Sequence, residues 1–261
     1  EALATLQADA TPMAPTLAAS VVEGDLGRQP ERIFRQWTDL PVAAASIGQV
    51  HRAVAPDGRV VAVKVQYPGV HEAIESDLDA AEVMYAMFSA MMLKGLDVNA
   101  LVDELRGRMR EELDYTLEAA NVTEFEERFA GHPWVRIPKL VPEYSTARLL
   151  TTEWVEGLTF DEFRKNETFE TKQRAAEVLW RFAQRAIHHY GIFNGDPHPG
   201  NYKFHHDGSI TFLDYGLVKR WSPGEWEGLK PTMDAIIVDR DPELLVREME
   251  KSGFLKTGHG L

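Results

Sequence analysis

Three polar residues in the second half of the chain have the types and spacing of a chemical site. Asp196 and Asn201 are five positions apart, and Asp214 follows Asn201 by thirteen. An amide and a carboxylate are hard oxygen ligands of the kind that suits Mg²⁺. With Asn201 and Asp214 on the metal, Asp196 would stand beside it as a base or positioning group. This arrangement is typical of phosphoryl transfer, in which positioning and charge neutralisation supply most of the catalysis. The alternative is a Pro-Gly loop followed by a solvated acidic turn.

The residues between Asn201 and Asp214 predict the element that would bring these two side chains together. Residues 202–206 and 209–213 have strand character, and an Asp-Gly pair at 207–208 separates them. Two β-rich runs around an Asp-Gly pair predict a β-hairpin. Because a hairpin brings its two ends together, we expect Asn201 to lie close to Asp214.

An earlier stretch predicts a second part of the same site. Residues 41–54 and 60–67 are β-rich and are separated by a Pro-Asp-Gly turn. The small residues from Ala43 to Gly48 predict a loop whose backbone could cover a phosphate closely. Lys64 lies within the Val-rich second run, where a charge is costly unless it is paired. We expect a carboxylate or a ligand phosphate beside it. The alternative is an edge-strand lysine that extends its amine to solvent.

Residues 70–128 predict two long helices separated by residues 95–98. The first carries a methionine-rich stripe, which is typical of core packing; a lipid-facing or partner-binding surface is the alternative. The second would carry Glu112 and Glu118, which are six positions apart and therefore on different faces. If one helix supplies a carboxylate partner for Lys64, this helix is the candidate.

The rest of the chain predicts a connector and further helices. Residues 149–157 predict a strand that runs into a link between two lobes, where backbone groups at Glu153 and Val155 could contact an adenine edge. Helices are predicted over residues 160–165, 168–190, 223–238 and 242–252. Residues 1–40 predict a polar helical extension, with breaks at Pro12 and Pro15 and a short amphipathic turn or helix over residues 31–37.

The composition limits the classes of function. The chain has 261 residues, of which 44% are hydrophobic, and its net charge of −13 argues against a generally basic nucleic-acid surface. It contains no cysteine, which excludes a disulfide framework and fits a reducing compartment. The most apolar run, residues 83–93, is far shorter than the ~20 residues that span a bilayer. We expect a cytoplasmic protein that could lie peripherally at a membrane. Because the sequence begins with Glu1, we also expect it to be a fragment.

Five motifs together resemble the UbiB family of atypical protein-kinase-like proteins, also called the AarF or ADCK family, which is associated with ubiquinone biosynthesis. They are Ala-Ala-Ala-Ser-Ile-Gly-Gln-Val-His-Arg-Ala, Val-Ala-Val-Lys, Glu-Leu-Asp-Tyr, Asp-Pro-His-Pro-Gly-Asn and Leu-Asp-Tyr-Gly. The resemblance covers about residues 1–220. It implies a bilobal protein-kinase-like α+β fold. The N-terminal extension would comprise residues 1–40. A β-rich N-lobe with inserted helices would comprise residues 41–155, and a mainly helical C-lobe would comprise residues 156–261.

The resemblance also implies roles for individual residues. Lys64 matches the strand lysine that contacts nucleotide phosphates, Glu118 its helix partner, and Asp196 the catalytic-loop aspartate. The alanine-rich loop over ATP or ADP comprises Ala43, Ala44, Ala45 and Ser46. The Mg²⁺ positions are Asn201 and Asp214, and the family's Glu-x-Asp motif is Glu112 and Asp114.

The chain departs from related kinases in several ways. The family's Lys-x-Gly-Gln motif is absent and is expected before residue 1. Asn194-Gly195-Asp196 stands where ordinary kinases have His-Arg-Asp, so control by a phosphorylated activation loop is not expected. Tyr215 replaces the usual Phe of the metal motif, and no Ala-Pro-Glu element follows.

These observations predict an ATP-binding, Mg²⁺-dependent atypical kinase or ATPase. Its acceptor would be water or a small or lipid molecule, such as a quinone precursor, and no nucleic-acid partner is expected. One alternative is a small-molecule kinase of the aminoglycoside or choline phosphotransferase kind. Another is a nucleotide-binding switch or scaffold with little catalysis.

Overall fold

The computed structural model describes residues 12–45, 47–80, 106–107, 109 and 113–252. Several predictions fall outside these residues: the placement of Ser46, that of Glu112, the methionine-rich stripe of the first long helix, and the break at residues 95–98. The described part combines helices with mainly antiparallel sheets, and the predicted α+β class is confirmed.

Two helices open the described part. Helix α1 is Pro15–Leu26 and α2 is Pro30–Ile33. Pro15 was predicted to break a helix, but it lies in the first turn of α1, where a proline's missing N–H costs nothing. Trp37 was predicted at the end of a turn or helix, but it belongs to a strand.

A five-stranded antiparallel sheet follows. Its order is β1-β3-β4-β6, and β2 pairs with β3. The long β3–β4 pair surrounds the predicted Pro-Asp-Gly turn. The strands are β1 Gln36–Trp37, β2 Ala43–Ala44, β3 Gly48–Val54, β4 Val60–Gln66 and β6 Leu149–Glu153.

Strand β4 separates a hydrophobic core from the candidate site. Val61, Val63 and Val65 are fully buried and pack in one cluster with Val21 and Val22 of α1. Because side chains alternate between the two faces of a strand, the residue between Val63 and Val65 points the other way. That residue is the predicted site lysine.

Helix α3, Tyr115–Phe129, begins later than predicted. The sequence predicted one helix through Glu112, Asp114 and Glu118. Asp114 instead has an extended backbone and caps α3, because its carboxylate accepts hydrogen bonds from the backbone N–H and the hydroxyl of Thr116. The prediction was wrong because the charged helical pattern continues across this cap. Upstream, residues 70–80 are helical, as are residues 106, 107 and 109.

A small sheet of order β5-β9-β8 carries the predicted hairpin. Strands β8 and β9 pair antiparallel, with Tyr202 opposite Phe212, and Gly208 in the turn has a φ of 83°. The hairpin prediction is therefore confirmed. The nearby elements are β5 Val135–Arg136, α4 Phe160–Asn166, α5 Phe169–Arg185, β8 Tyr202–Phe204 and β9 Ile210–Phe212.

The remaining elements also follow the predicted pattern. Helix α5 continues into a π-helical turn, Ala186–Tyr190, and ends at Gly191 in the left-handed conformation. The predicted helices at residues 223–238 and 242–252 are present as α6, a second π-helical turn, and α7. The remaining strands before α6 are β7 Ile192–Asn194 and β10 Val218–Arg220. The later elements are α6 Pro223–Asp234, the π-helical turn Ala235–Asp239 and α7 Pro242–Lys251.

The chain divides into two compact units. One comprises residues 1–178 with 196–217, and the other comprises residues 179–195 with 218–261. The predicted lobe boundaries at residues 40 and 155 remain predictions. Within the described ranges, none of the helices has the length and apolar character needed to cross a membrane.

Candidate active site

Lys64 and Glu118 form a buried ion pair at the centre of the site. The Lys64 Nζ atom lies 2.8 Å from Oε2 and 3.1 Å from Oε1 of Glu118. Only 14% of the Lys64 side chain and 5% of the Glu118 side chain are exposed. Strand β4 turns the lysine away from the valine core, and Glu118 lies in the first turn of α3. The structure thus brings these two predicted residues together.

Asp214 is a second carboxylate beside the same ammonium group. Its Oδ2 atom lies 3.5 Å from Lys64 Nζ, and 31% of its side chain is exposed. Burial alone would lower the pKa of Lys64, but the charges of Glu118 and Asp214 outweigh that effect and raise it. Burial also raises the pKa of Glu118, while the Lys64 charge opposes the rise. Lys64 therefore remains a cation between two carboxyl groups.

Tyr115 packs against Lys64 from the start of α3. Its ring centroid lies 5.0 Å from Lys64 Nζ, a cation–π distance, and 1% of the residue is exposed. A Cβ added to Gly48 would lie 2.9 Å from the Tyr115 hydroxyl and 2.3 Å from the carbonyl oxygen of Val65. Strand β3 therefore needs a glycine at this position, beside the small-residue loop.

Two hydrogen bonds tie the start of α3 to the end of β4 and to the residues just before β6. The side chain of Gln66, at the end of β4, donates to the carbonyl of Leu113 at 2.9 Å. The backbone N–H of Tyr115 donates to the carbonyl of Ala147 at 3.0 Å. Because Glu118 follows within one turn, these contacts fix its distance from Lys64.

Asp196 and Asn201 form a second pair. The Asn201 amide donates to Oδ2 of Asp196 at 2.8 Å, and Asp196 is exposed. The hairpin joins this pair to the metal motif, because the N–H of Leu213 donates to the carbonyl of Asn201 at 2.9 Å. Tyr202 lies close by; burial first and Asp196 second raise the pKa of its hydroxyl to about 12. The structure thus ties Asn201 to the residue that precedes Asp214.

The donor set at Asn201 and Asp214 fits a magnesium ion. With its NH₂ group on Asp196, Asn201 has its amide oxygen to offer a cation, and Asp214 offers carboxylate oxygen. Mg²⁺ in nucleotide sites usually takes one or two protein ligands and completes its shell with phosphates and water. The described ranges contain no cluster of three or more His, Asp or Glu side chains that could hold a metal alone. A shared metal–nucleotide site needs no such cluster.

The other predicted nucleotide contacts belong to the sheet that carries Lys64 or follow its strands in the chain. Ala43 and Ala44, predicted in a loop, instead form the exposed short strand β2, and the backbone N–H of Ala45 donates to the carbonyl of Gly48, the first residue of β3. Glu153 ends β6, and Val155 follows two residues later. The N–H of Glu153 already donates to Lys139, so a contact from Glu153 to adenine would use its carbonyl. These nucleotide roles remain predictions.

Sequence reasoning assigned no individual role to Tyr115, Gln66 or Asn121, although each supports the site. The side chain of Asn121 donates to the carbonyl of Tyr215 at 2.8 Å. The three-residue spacing from Glu118 to Asn121 places both on one face of a helix and could have indicated this residue. Gln66 gave no such signal, because its partner, Leu113, lies 47 positions away.

Comparison with known proteins identifies the family. Residues 5–248 match the ABC1 atypical kinase-like domain. The chain belongs to the ABC1 atypical kinase-like family. The resemblance to AarF and UbiB proteins is thereby confirmed, and the kinase-like arrangement of Lys64, Glu118 and Asp214 agrees with it.

Two relatives of this ABC1 chain come from Arabidopsis thaliana. An uncharacterized chloroplastic aarF domain-containing protein kinase is 34% identical over 97% of the chain. The chloroplastic protein ACTIVITY OF BC1 COMPLEX KINASE 1 is also 34% identical over 97% of the chain. The chain spans 36% and 38% of the lengths of these two relatives.

A solved structure shares the fold. It is the complex of Rv3197 with erythromycin from Mycobacterium tuberculosis, which matches with a TM-score of 0.79 and 35% sequence identity. The match covers 96% of this ABC1 chain and 63% of that one. Together with the family match, it confirms the kinase-like fold.

Proposed function

We propose that this chain binds ATP with Mg²⁺ and transfers the γ-phosphoryl group to water or to a small or lipid acceptor. The observation that carries the proposal is the position of Lys64 Nζ, 2.8 Å from Glu118 and 3.5 Å from Asp214. A lysine held by a helix carboxylate beside a metal-binding aspartate is a requirement of kinase chemistry. Kinase-named relatives support the same reaction class.

Lys64 would neutralise the phosphates of the bound nucleotide. Glu118 keeps the ammonium group in place, and the buried surroundings strengthen its attraction for anions. Since the pKa of Lys64 is raised, the side chain carries its charge throughout the physiological pH range. The charge is thus in position before phosphate arrives, which lowers the reorganisation that the reaction requires.

Asp196 would orient the hydroxyl or water that attacks the phosphoryl group. The amide of Asn201 fixes the Asp196 carboxylate at 2.8 Å while leaving it accessible to solvent and acceptor. Asn201 and Asp214 would hold Mg²⁺, which neutralises charge on the phosphates when it is bound. The bond from Asn201 to Asp196 would thus place the orienting carboxylate beside one of the two proposed metal ligands.

The acceptor is proposed from the family resemblance. A lipid or quinone-precursor acceptor would place the reaction in ubiquinone or related isoprenoid-lipid metabolism, and a cytoplasmic chain would then work peripherally at a membrane surface. Flotation with liposomes tests this contact, with Met87→Glu and Met91→Glu as variants of the predicted apolar stripe. Absence of binding by the intact protein would remove membrane contact from the proposal.

Phosphate release from ATP is the primary test. We expect Lys64→Ala and Asp214→Asn each to lower turnover at least about 100-fold, since each removes a charge that acts on the phosphates. Asp161→Asn is the matched control, because Asp161 is exposed and pairs only at the surface with Arg164. Equal turnover by wild type, Lys64→Ala and Asp214→Asn would refute the mechanism.

A small-molecule kinase is the second candidate. The observation in its favour is that Rv3197, the structural relative, was solved in complex with the small molecule erythromycin. A panel of soluble amines and alcohols, run beside lipid and quinone-precursor acceptors, separates the two candidates. Phosphorylation of a soluble compound alone would favour this second candidate, whereas phosphorylation or stimulation by lipids alone would favour the first.

A further inference from the structure

Asn121 links helix α3 to the metal motif. It lies one turn after Glu118, and 7% of the residue is exposed. Its Nδ2 atom donates to the carbonyl oxygen of Tyr215 at 2.8 Å. Tyr215 follows the metal-motif residue Asp214 directly, so this hydrogen bond acts on the backbone that carries the Asp214 carboxylate.

The same helix contacts the backbone and ring of Tyr215 at other points. Oε1 of Glu118 lies 3.5 Å from the Tyr215 N–H, at the long limit for a hydrogen bond. The Tyr215 ring is fully buried, with its centroid 4.8 Å from that of Phe125. Within the loop, the N–H of Gly216 donates to Oδ1 of Asp214 at 2.9 Å. The carboxylate is therefore oriented by a backbone that α3 holds.

The geometry points to Asn121 as a positioning residue that sets how Asp214 is presented to the metal–nucleotide complex. This inference rests on the proposed function. Glu118 and Asn121 lie on one face of α3, so a single helix would set both the Lys64 ammonium and the Asp214 carboxylate. Of the two contacts to the Tyr215 backbone, the Asn121 bond is shorter by 0.7 Å and is the stronger candidate.

The chemistry of Asn121 supports this role. An asparagine within a helix is less favourable than an alanine, and a buried amide is costly unless it is hydrogen-bonded. Here its NH₂ group satisfies a backbone carbonyl on a loop of irregular structure. Residues that orient a metal ligand commonly change metal affinity or activity about 10- to 100-fold when they are replaced.

The test measures metal binding in addition to turnover. We expect Asn121→Ala to weaken binding of Mn²⁺ in the presence of a non-hydrolysable ATP analogue about tenfold or more. Electron paramagnetic resonance reports the bound Mn²⁺. Calorimetry in EDTA reports binding of the analogue without metal, and we expect this affinity to change less than twofold. Asn121→Ser is the second variant, because it keeps a polar group in the buried site if the alanine variant does not fold.

Val122→Ala is the matched control. Val122 is fully buried on the same helix, so its truncation lowers stability without removing the bond to Tyr215. At equal folded fraction, this variant should retain the wild-type metal affinity. If wild type binds the Mn²⁺–analogue complex and the folded Asn121 variants bind Mn²⁺ equally well, the inference is wrong. If wild type binds no nucleotide at all, the proposed function fails and the inference fails with it.

Discussion

The amide of Asn201 donates a 2.8 Å hydrogen bond to the carboxylate of Asp196. One of these residues is predicted to hold the metal and the other to orient the attacking group. A change at Asn201 should therefore disturb both functions, whereas a change at Asp196 should disturb one.

The first prediction separates these two roles. Asp196→Asn should lower kcat roughly 100-fold or more, because an amide cannot accept the proton of the acceptor. Its affinity for the metal–nucleotide complex should change little. Asn201→Ala should lower kcat and also weaken metal affinity. Steady-state kinetics at several Mg²⁺ concentrations measure both quantities, and full kcat in Asp196→Asn would contradict the assignment.

The second prediction concerns the ion pair of Lys64 and Glu118. Glu118→Gln should lower the free energy of unfolding by about 2 kcal/mol, because it removes a buried charge-assisted hydrogen bond while keeping the side-chain shape. Turnover should fall as well, since Lys64 would move toward Asp214. Urea unfolding and phosphate release measure the two effects.

Glu124→Gln on the same helix is the control for that prediction. Glu124 forms a surface pair with Arg128 at 3.4 Å, and such pairs contribute about 0–1 kcal/mol. Equal stability loss in the two variants would show that the burial of Glu118 has no special effect.

The third prediction concerns Gly48. Gly48→Ala would place a methyl group 2.3 Å from the carbonyl oxygen of Val65, so strand β3 would have to shift. We expect a loss of roughly 1–3 kcal/mol in the free energy of unfolding. Because the shift occurs beside Tyr115 and Lys64, the KM for ATP should also rise.

Gly228→Ala provides the comparison for Gly48. Gly228 lies in α6, and an added Cβ there would meet no atom within 4 Å. An alanine is favoured over a glycine within a helix, so this variant should be neutral or slightly stabilised. Thermal unfolding of both variants tests the difference, and a stable, fully active Gly48→Ala protein would refute the steric argument.

The fourth prediction concerns pH. His51 is fully buried in β3; one ring nitrogen contacts the carbonyl of Thr38 at 2.8 Å, and the other contacts the amide of Gln49 at 2.8 Å. Because a carbonyl only accepts, Nδ1 carries the proton and Nε2 accepts from Gln49 in the neutral ring. Burial lowers the pKa of His51, with the Thr38 carbonyl and Asp39 opposing that effect.

The sign of the pH effect follows from this shift. Below about pH 6.5 the unfolded chain binds a proton at His51 that the folded chain resists, so stability should fall as the pH decreases. Chemical unfolding between pH 7.5 and pH 5 should show a shallower pH dependence in His51→Gln than in wild type. Some dependence should remain, because burial also lowers the pKa of His205. An unchanged slope in His51→Gln would contradict the prediction.

Local patterns in the sequence were enough to predict the hairpin and the β3–β4 pair. The Asp-Gly pair at residues 207–208 and the Pro-Asp-Gly turn act over a few residues, and the structure places strands on both sides. The predicted start of α3 was wrong because Asp114 fits the charged helical pattern around it. Only the hydrogen bond from Thr116 to its carboxylate shows that Asp114 caps the helix.

Contacts between distant residues were harder to predict. The residues alone left several possible partners for Lys64, and only the family resemblance indicated Glu118. Asn121 and Tyr215 are 94 positions apart, and no local pattern connects an asparagine in a helix to a carbonyl in a loop. Such contacts depend on how α3 packs in three dimensions.

The attachment of α3 at its first turn has a consequence for control. In protein kinases, activation commonly moves the helix that carries the glutamate toward the lysine. Here the Gln66 side chain at the end of β4 bonds to Leu113, and the Tyr115 amide bonds to Ala147 just before β6, so the start of the helix is fixed beside the sheet. We expect the distance between Glu118 and Lys64 to stay the same whenever the chain is folded. The supply of nucleotide and the access of the acceptor would then set the rate of turnover.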